Sequence, residues 1–138
     1  GAFPYLVPQA YVSRARALLD EAAAGGRTRP ALVVSLACRI EPDPSAARAA
    51  ARRYLDRYLG LPNYRANLLE CGFDDGDLTK PGSDRLVDAL VAWGDEPTVL
   101  GRLRAMLEAG ADHVALIPLT ADGLHADRAT MEALAPPW

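Results

Sequence analysis

The 138-residue sequence has little of what catalytic centres are usually built from: two cysteines, two histidines and a single lysine, Lys80. Cys38 and Cys71 are too few for a disulfide framework, so a reducing, cytoplasmic setting is expected. Neither has a histidine at ligand spacing, which argues against a metal site and against a cysteine nucleophile. The net charge of −3 and the pI near 5.3 leave no basic footprint for nucleic acid. No apolar stretch approaches the roughly 18 residues of a membrane span; Ala31–Cys38 is the longest and already contains Ser35. No secretory signal is visible. A glycine-rich phosphate loop is also missing, since Gly25-Gly26 follows a helical segment instead of opening one. Asp74-Asp75-Gly76-Asp77 lacks the later glycine and glutamate of a calcium loop and reads as a solvated turn.

What is present is alanine, 26 residues, and arginine, which supplies all the basic residues but one. That bias fits a GC-rich genome better than a functional adaptation. The length suits one domain and falls well short of the roughly 250 residues of a closed eight-stranded α/β barrel. Ala2–Val7 reads as a short buried strand, placed at an edge because Pro4 has no N–H to donate. Residues 8–24 present Val12, Ala15, Leu18, Leu19 and Ala22 at helical spacing. Residues 31–40 are the strongest strand, apolar enough for burial on both faces of a parallel sheet. Asp43-Pro44 starts a helix that Gly60 and Pro62 end, and a shorter helix covers 63–71. Residues 73–82 read as a loop. Ser83 then caps a helix running to Gly94, and Asp95 caps another that ends at Gly110. Residues 112–118 form the third strand, and 126–134 a weak final helix. Strands alternating with helices indicate an α/β fold with parallel strands, whose free edges need a partner.

Several segments together carry a resemblance. They are Gly1–Val7, Tyr58-Leu59-Gly60-Leu61-Pro62-Asn63-Tyr64, Gly72-Phe73, Asp77-Leu78, Asp84–Asp95 and Ala109–Val114. Together they are similar to the C-terminal half of luciferase-like monooxygenases, in particular actinobacterial members assigned to the deazaflavin F-420. The resemblance implies about three βα units of a (βα)8 TIM barrel, with 42–93 as a helical excursion at the catalytic face. It also implies oxidoreductase chemistry, monooxygenation or hydride transfer, with F-420 or FMN on a small organic substrate. The main cofactor-holding segments would lie in earlier strands, so the chain alone is expected to be inactive and to bind little cofactor. Phe3 stands where relatives commonly have histidine.

Barrel geometry places function at the C-terminal ends of strands. The pocket candidates are therefore Tyr5 and Val7, Arg39 and Thr120, with Asn63, Tyr64 and Arg65 reaching in from the excursion. Arg39 offers a fork for an anion, against the plainer reading of a pair with Glu41 or Asp43. His113 opens its strand at the stability end, His125 lies in the tail, and no catalytic residue is assigned. Expected partners are a small-molecule substrate and either a missing N-terminal barrel half or another copy of the chain. A rival reading is a non-catalytic α/β module for interaction or small-ligand binding, oligomerising through its open sheet edges.

Overall fold

The computed structural model describes residues 1–124 and 126–135; His125 and the Pro136-Pro137-Trp138 tail lie outside them. Within this range the chain is α/β, with seven helices and one three-stranded parallel sheet. The elements are α1 (Gln9–Ala23), β1 (Val33–Ile40), α2 (Pro44–Leu59), α3 (Pro62–Glu70), α4 (Asp75–Leu78) and α5 (Asp84–Leu90). Then follow β2 (Val91–Gly94), α6 (Glu96–Glu108), β3 (His113–Pro118) and α7 (Arg128–Leu134).

The sheet order is β2-β1-β3. β1 pairs with β3 from Val33↔His113 to Cys38↔Pro118 and, on its other side, with β2 from Ala37↔Val91 to Ile40↔Gly94. Alternation along β1 divides the core in two. Val34, Leu36 and Cys38 pack with Val12 of α1 and with Val99 and Met106 of α6. Ala37 faces the opposite way, toward Leu55 and Leu59 of α2, Leu68 of α3 and Leu86 of α5. Each fully buried leucine of that layer contributes roughly 1.5–3 kcal/mol.

Capping explains the helix starts. Asp43 accepts from the Ser45 N–H, Ser83 from Leu86 and Asp95 from Thr98, at 3.0–3.1 Å. Across the helical layer, Arg48 forks onto Asp88 at 2.6 and 3.0 Å and also reaches Asp84. The two carboxylates at i, i+4 thus clamp α5 to α2. At the other end of the sheet, Asp112 accepts from the Leu32 N–H at 2.7 Å and from the buried Arg16 at 3.0 Å. The Leu32 N–H first, then the Arg29 and Arg16 guanidiniums, hold its carboxyl below the usual range. His113 stands exposed beside it, at the start of β3.

Three sequence expectations are corrected. The helix expected to run from 84 to Gly94 stops at Leu90, and Val91–Gly94 is a strand. The apolar positions 86, 87, 90 and 91 keep helical phase across the junction, so periodicity gives no sign of the change. Ala2–Val7 is no continuous strand: only Ala2 forms a parallel bridge, to Leu32, before Pro4 removes a donor and Leu6 turns into the left-handed region (φ 57°). The 73–82 loop contains the single turn α4, started by a reciprocal pair between Asp74 and Asp77. Two smaller differences concern ends: α7 begins at Arg128, because Ala126 is taken by a bridge to Leu119, and α3 spans 62–70.

Candidate functional site

The N-terminal segment enters the molecule through two backbone bonds, Ala2 N–H to Ala31 O (2.8 Å) and Val33 N–H to Ala2 O (3.0 Å). Beyond them, regular strand alternation would send Tyr5 and Leu6 to opposite sides. Instead both pack on the α2–α5 layer, while Val7 enters the core on the other side of the sheet. The left-handed backbone at Leu6, sparsely populated for a leucine, is where the alternation breaks.

This places Tyr5 in a group of four tyrosines. Its hydroxyl lies 2.6 Å from that of Tyr54 and 3.2 Å from that of Tyr58, one turn apart on α2. The Tyr58 ring meets Tyr5 at 5.6 Å, Tyr54 at 5.4 Å and Tyr64 of α3 edge-on at 5.0 Å. Tyr54 is buried, and its hydroxyl makes its short hydrogen bond with that of Tyr5. Either hydroxyl of the pair can donate, and the bond satisfies the buried Tyr54 phenol. Burial, then the hydrogen bond with Tyr5, pushes the Tyr54 phenol far above its ordinary value, and burial raises Tyr5 as well. These phenols therefore favour folding fully below about pH 10, where the unfolded chain keeps its protons, and less as pH rises beyond it. In an alkaline titration followed at 295 nm, Tyr5 and Tyr54 are expected to ionise late, and Tyr54→Phe to remove only late-titrating absorbance. Ionisation of every tyrosine near pH 10 in the folded protein would contradict this arrangement.

Next to the tyrosines lies a cleft of about 220 Å³ that brings together Tyr5, Val7, Asn63 and Tyr64. Four sequence candidates thus converge. The others stand elsewhere. Arg65 donates to Leu78 O at 3.1 Å and pairs with Asp75 at 2.9 Å, tying α3 to α4. Arg39, at the end of β1, donates to Leu119 O at 3.0 Å and sits 3.5 Å from Glu41, bracing the exit of β3; its buried Nε has no partner among the described residues. Thr120 bonds to Asp122 in the following turn.

Three residues of the cleft were not among the candidates, Pro4, Tyr11 of α1 and Asn67 of α3. Asn67 carried a usable signal, since it follows Asn63 by four positions and shares its helix face. Among the described residues, the carboxamides of Asn63 and Asn67 and the hydroxyls of Tyr11 and Tyr64 make no hydrogen bond. No charged side chain lines the cleft.

A larger hollow of about 450 Å³ lies at Trp93, Asp88, Thr98 and Arg102. Its polar groups are already committed. Asp88 holds Arg48 and the Trp93 Nε1–H, while Arg102 closes the end of α5 through Asp88 O and Ala89 O. Unspent hydrogen bonds, more than volume, mark the smaller cleft as the candidate site.

The cysteines offer no alternative. Cys38 is wholly buried in β1 and its thiol is pushed up to about 12. At pH 8 only about one in ten thousand such thiols is ionised, so alkylation of Cys38 is expected to wait for unfolding. Counting modified thiols in native and denaturing buffer checks this; rapid native labelling of Cys38 would refute it. Among the described residues, no group of three or more His, Cys, Asp or Glu could hold a metal ion. No described helix is long and apolar enough to cross a membrane. No model of a known protein family matches the chain, and no curated protein matches it either.

Proposed function

We propose that this chain is the wall and helical cover of a small-molecule pocket, in the C-terminal portion of a (βα)8 oxidoreductase of luciferase-like type. The observation that carries this reading is the convergence of Tyr5, Val7, Asn63 and Tyr64 on one cleft, from segments far apart in sequence. Sheet order supports it. The N-terminal segment, β1 and β3 lie side by side in chain order, as successive barrel strands do, and β2 adds only a short pairing to the end of β1. Beyond β3 no further strand is paired among the described residues, and Met131 is exposed next to it. Phe3 and Leu18 are exposed at the opposite side, around a groove of about 570 Å³. Preceding βα units would cover such surfaces. Two free thiols fit a reducing cytoplasm.

FMN and F-420 are the cofactors the resemblance implies, and the residues present do not fit either. A one-ring cleft without a cation has no place for a three-ring system with a phosphate-bearing tail. The α6 N-terminus, a possible phosphate seat, is filled by its own Asp95 side chain. The cofactor grip therefore belongs to a part of the enzyme other than these residues.

The test compares this chain with a longer product of the same gene that includes any reading frame before Gly1. The longer product is expected to bind FMN or F-420, followed by absorbance and fluorescence, and the 138-residue chain is not. Absence of further βα units upstream, or tight binding by the chain alone, overturns the reading. The apolar hollows at both sheet edges, the second at Leu116, Met131 and Leu134, also favour a self-associating binding module. Sedimentation decides that alternative: a soluble monomer excludes it.

A further inference from the structure

We infer that the Tyr/Asn cleft takes an uncharged single-ring compound bearing hydroxyl, carbonyl or amide groups, and discriminates against its anionic analogue. The inference rests on the reading of this cleft as the small-molecule pocket, and not on any redox step. It begins with the unspent groups. The Tyr11 and Tyr64 hydroxyls each donate one hydrogen and accept others, while the Asn63 and Asn67 carboxamides donate and accept in two directions. A ligand that satisfies them must itself both donate and accept.

Charge narrows the class. Among the described residues the cleft lining holds no Arg, Lys, Asp or Glu, and Arg14 and Glu70 line the adjoining groove with opposite signs. Where an anion touches this lining it meets no cation in place of the water it loses, and an ammonium group meets no carboxylate. Arg14 is also turned to the Tyr11 ring, 5.3 Å from its centre. Size and surface narrow the class further. About 220 Å³ is below the roughly 300–1,000 Å³ of drug-sized sites, which leaves room for about one ring. Pro4, Val7 and the tyrosine rings provide apolar surface for its faces.

The test uses two probes of the same shape and different charge, 4-hydroxybenzamide and 4-hydroxybenzoate. Each is titrated into the ¹⁵N-labelled chain while the side-chain amide signals of Asn63 and Asn67 are followed. The amide is expected to shift both signals saturably and to bind about tenfold or more tightly than the benzoate. Asn67→Leu, with an unchanged backbone spectrum elsewhere, is expected to weaken the amide about tenfold, the scale of one or two lost hydrogen bonds. The inference is overturned by equal or stronger binding of the benzoate, by shifts centred on the Trp93 hollow, by an Asn67→Leu variant of full affinity, or by no saturable shift. Amide binding without cofactor binding by the longer gene product would leave this site standing and remove the oxidoreductase reading. Cofactor binding without the preference for the amide would do the reverse.

Discussion

Leu55→Ala is expected to lower the unfolding free energy by about 2–5 kcal/mol, a large part of the 5–15 kcal/mol typical of a domain. Leu55 is fully buried in the layer where α2 packs on α3, α5 and the sheet. Truncation removes its apolar burial and leaves a void that the surrounding leucines and Tyr54 fill only in part. At this chain length the loss corresponds to a melting point lower by roughly 8–20 °C. Because Leu55 adjoins Tyr54, the near-ultraviolet signal of the tyrosine group should weaken before global unfolding. Leu18→Ala provides the contrast: Leu18 is 61% exposed, so its truncation should stay within about 0.5 kcal/mol. Urea unfolding of both variants by circular dichroism settles the point, and a Leu55→Ala midpoint equal to wild type would mean that α2 does not pack as described.

Gly123→Ala is the second large effect. Gly123 has φ +70°, and a Cβ there would meet Ala50 O at 2.4 Å and Tyr54 N at 2.8 Å. Both are backbone atoms of α2 and cannot turn aside as a side-chain tip would. The variant therefore adds a clash to the roughly 1–2 kcal/mol of left-handed strain, and the turn after β3 must lift off α2. That movement would break the Arg53 bond to Ala121 O (2.7 Å) and disturb Thr120. Gly26 separates the two causes, because its φ is +92° and nothing stands within 4 Å of an added Cβ. Gly26→Ala should cost the strain alone, and Gly123→Ala clearly more. Equal losses in urea unfolding would show that the turn is not seated on α2.

How much of this was legible in the sequence depended on the range of the signal. Asp43, Ser83 and Asp95 announced their helices because a cap is a bond between near neighbours, and all three bonds form. β2 was hidden because four residues are too few to show a period of two, and its Val91 continued the helical phase of α5. Leu6 gave no warning, since nothing in a leucine marks a left-handed backbone that tertiary packing imposes. Within the site, helix geometry separates the candidates on α3. At about 100° per residue, Asn63, Tyr64 and Asn67 fall within one sector and Arg65 lies roughly opposite Asn63 and Asn67. Arg65 accordingly ends on α4 and not in the cleft. The pairing of Tyr5 with Tyr54 spans 49 positions, and no local pattern encodes it.

The cleft also has walls of unequal permanence. Asn63, Tyr64 and Asn67 ride on a helix packed through Leu68 into the core, and Tyr5 is held by its hydroxyl contacts and by its buried neighbours Leu6 and Val7, whereas residues 1–4 are tied to the sheet through the two backbone bonds at Ala2, with Phe3 exposed. That short margin opens at lower free energy than the sheet does. Amide hydrogen exchange at Ala2 and Val33 would then run ahead of the rest of β1 and slow when the cleft, which Pro4 lines, is filled, making the first four residues the clock by which ligands enter and leave.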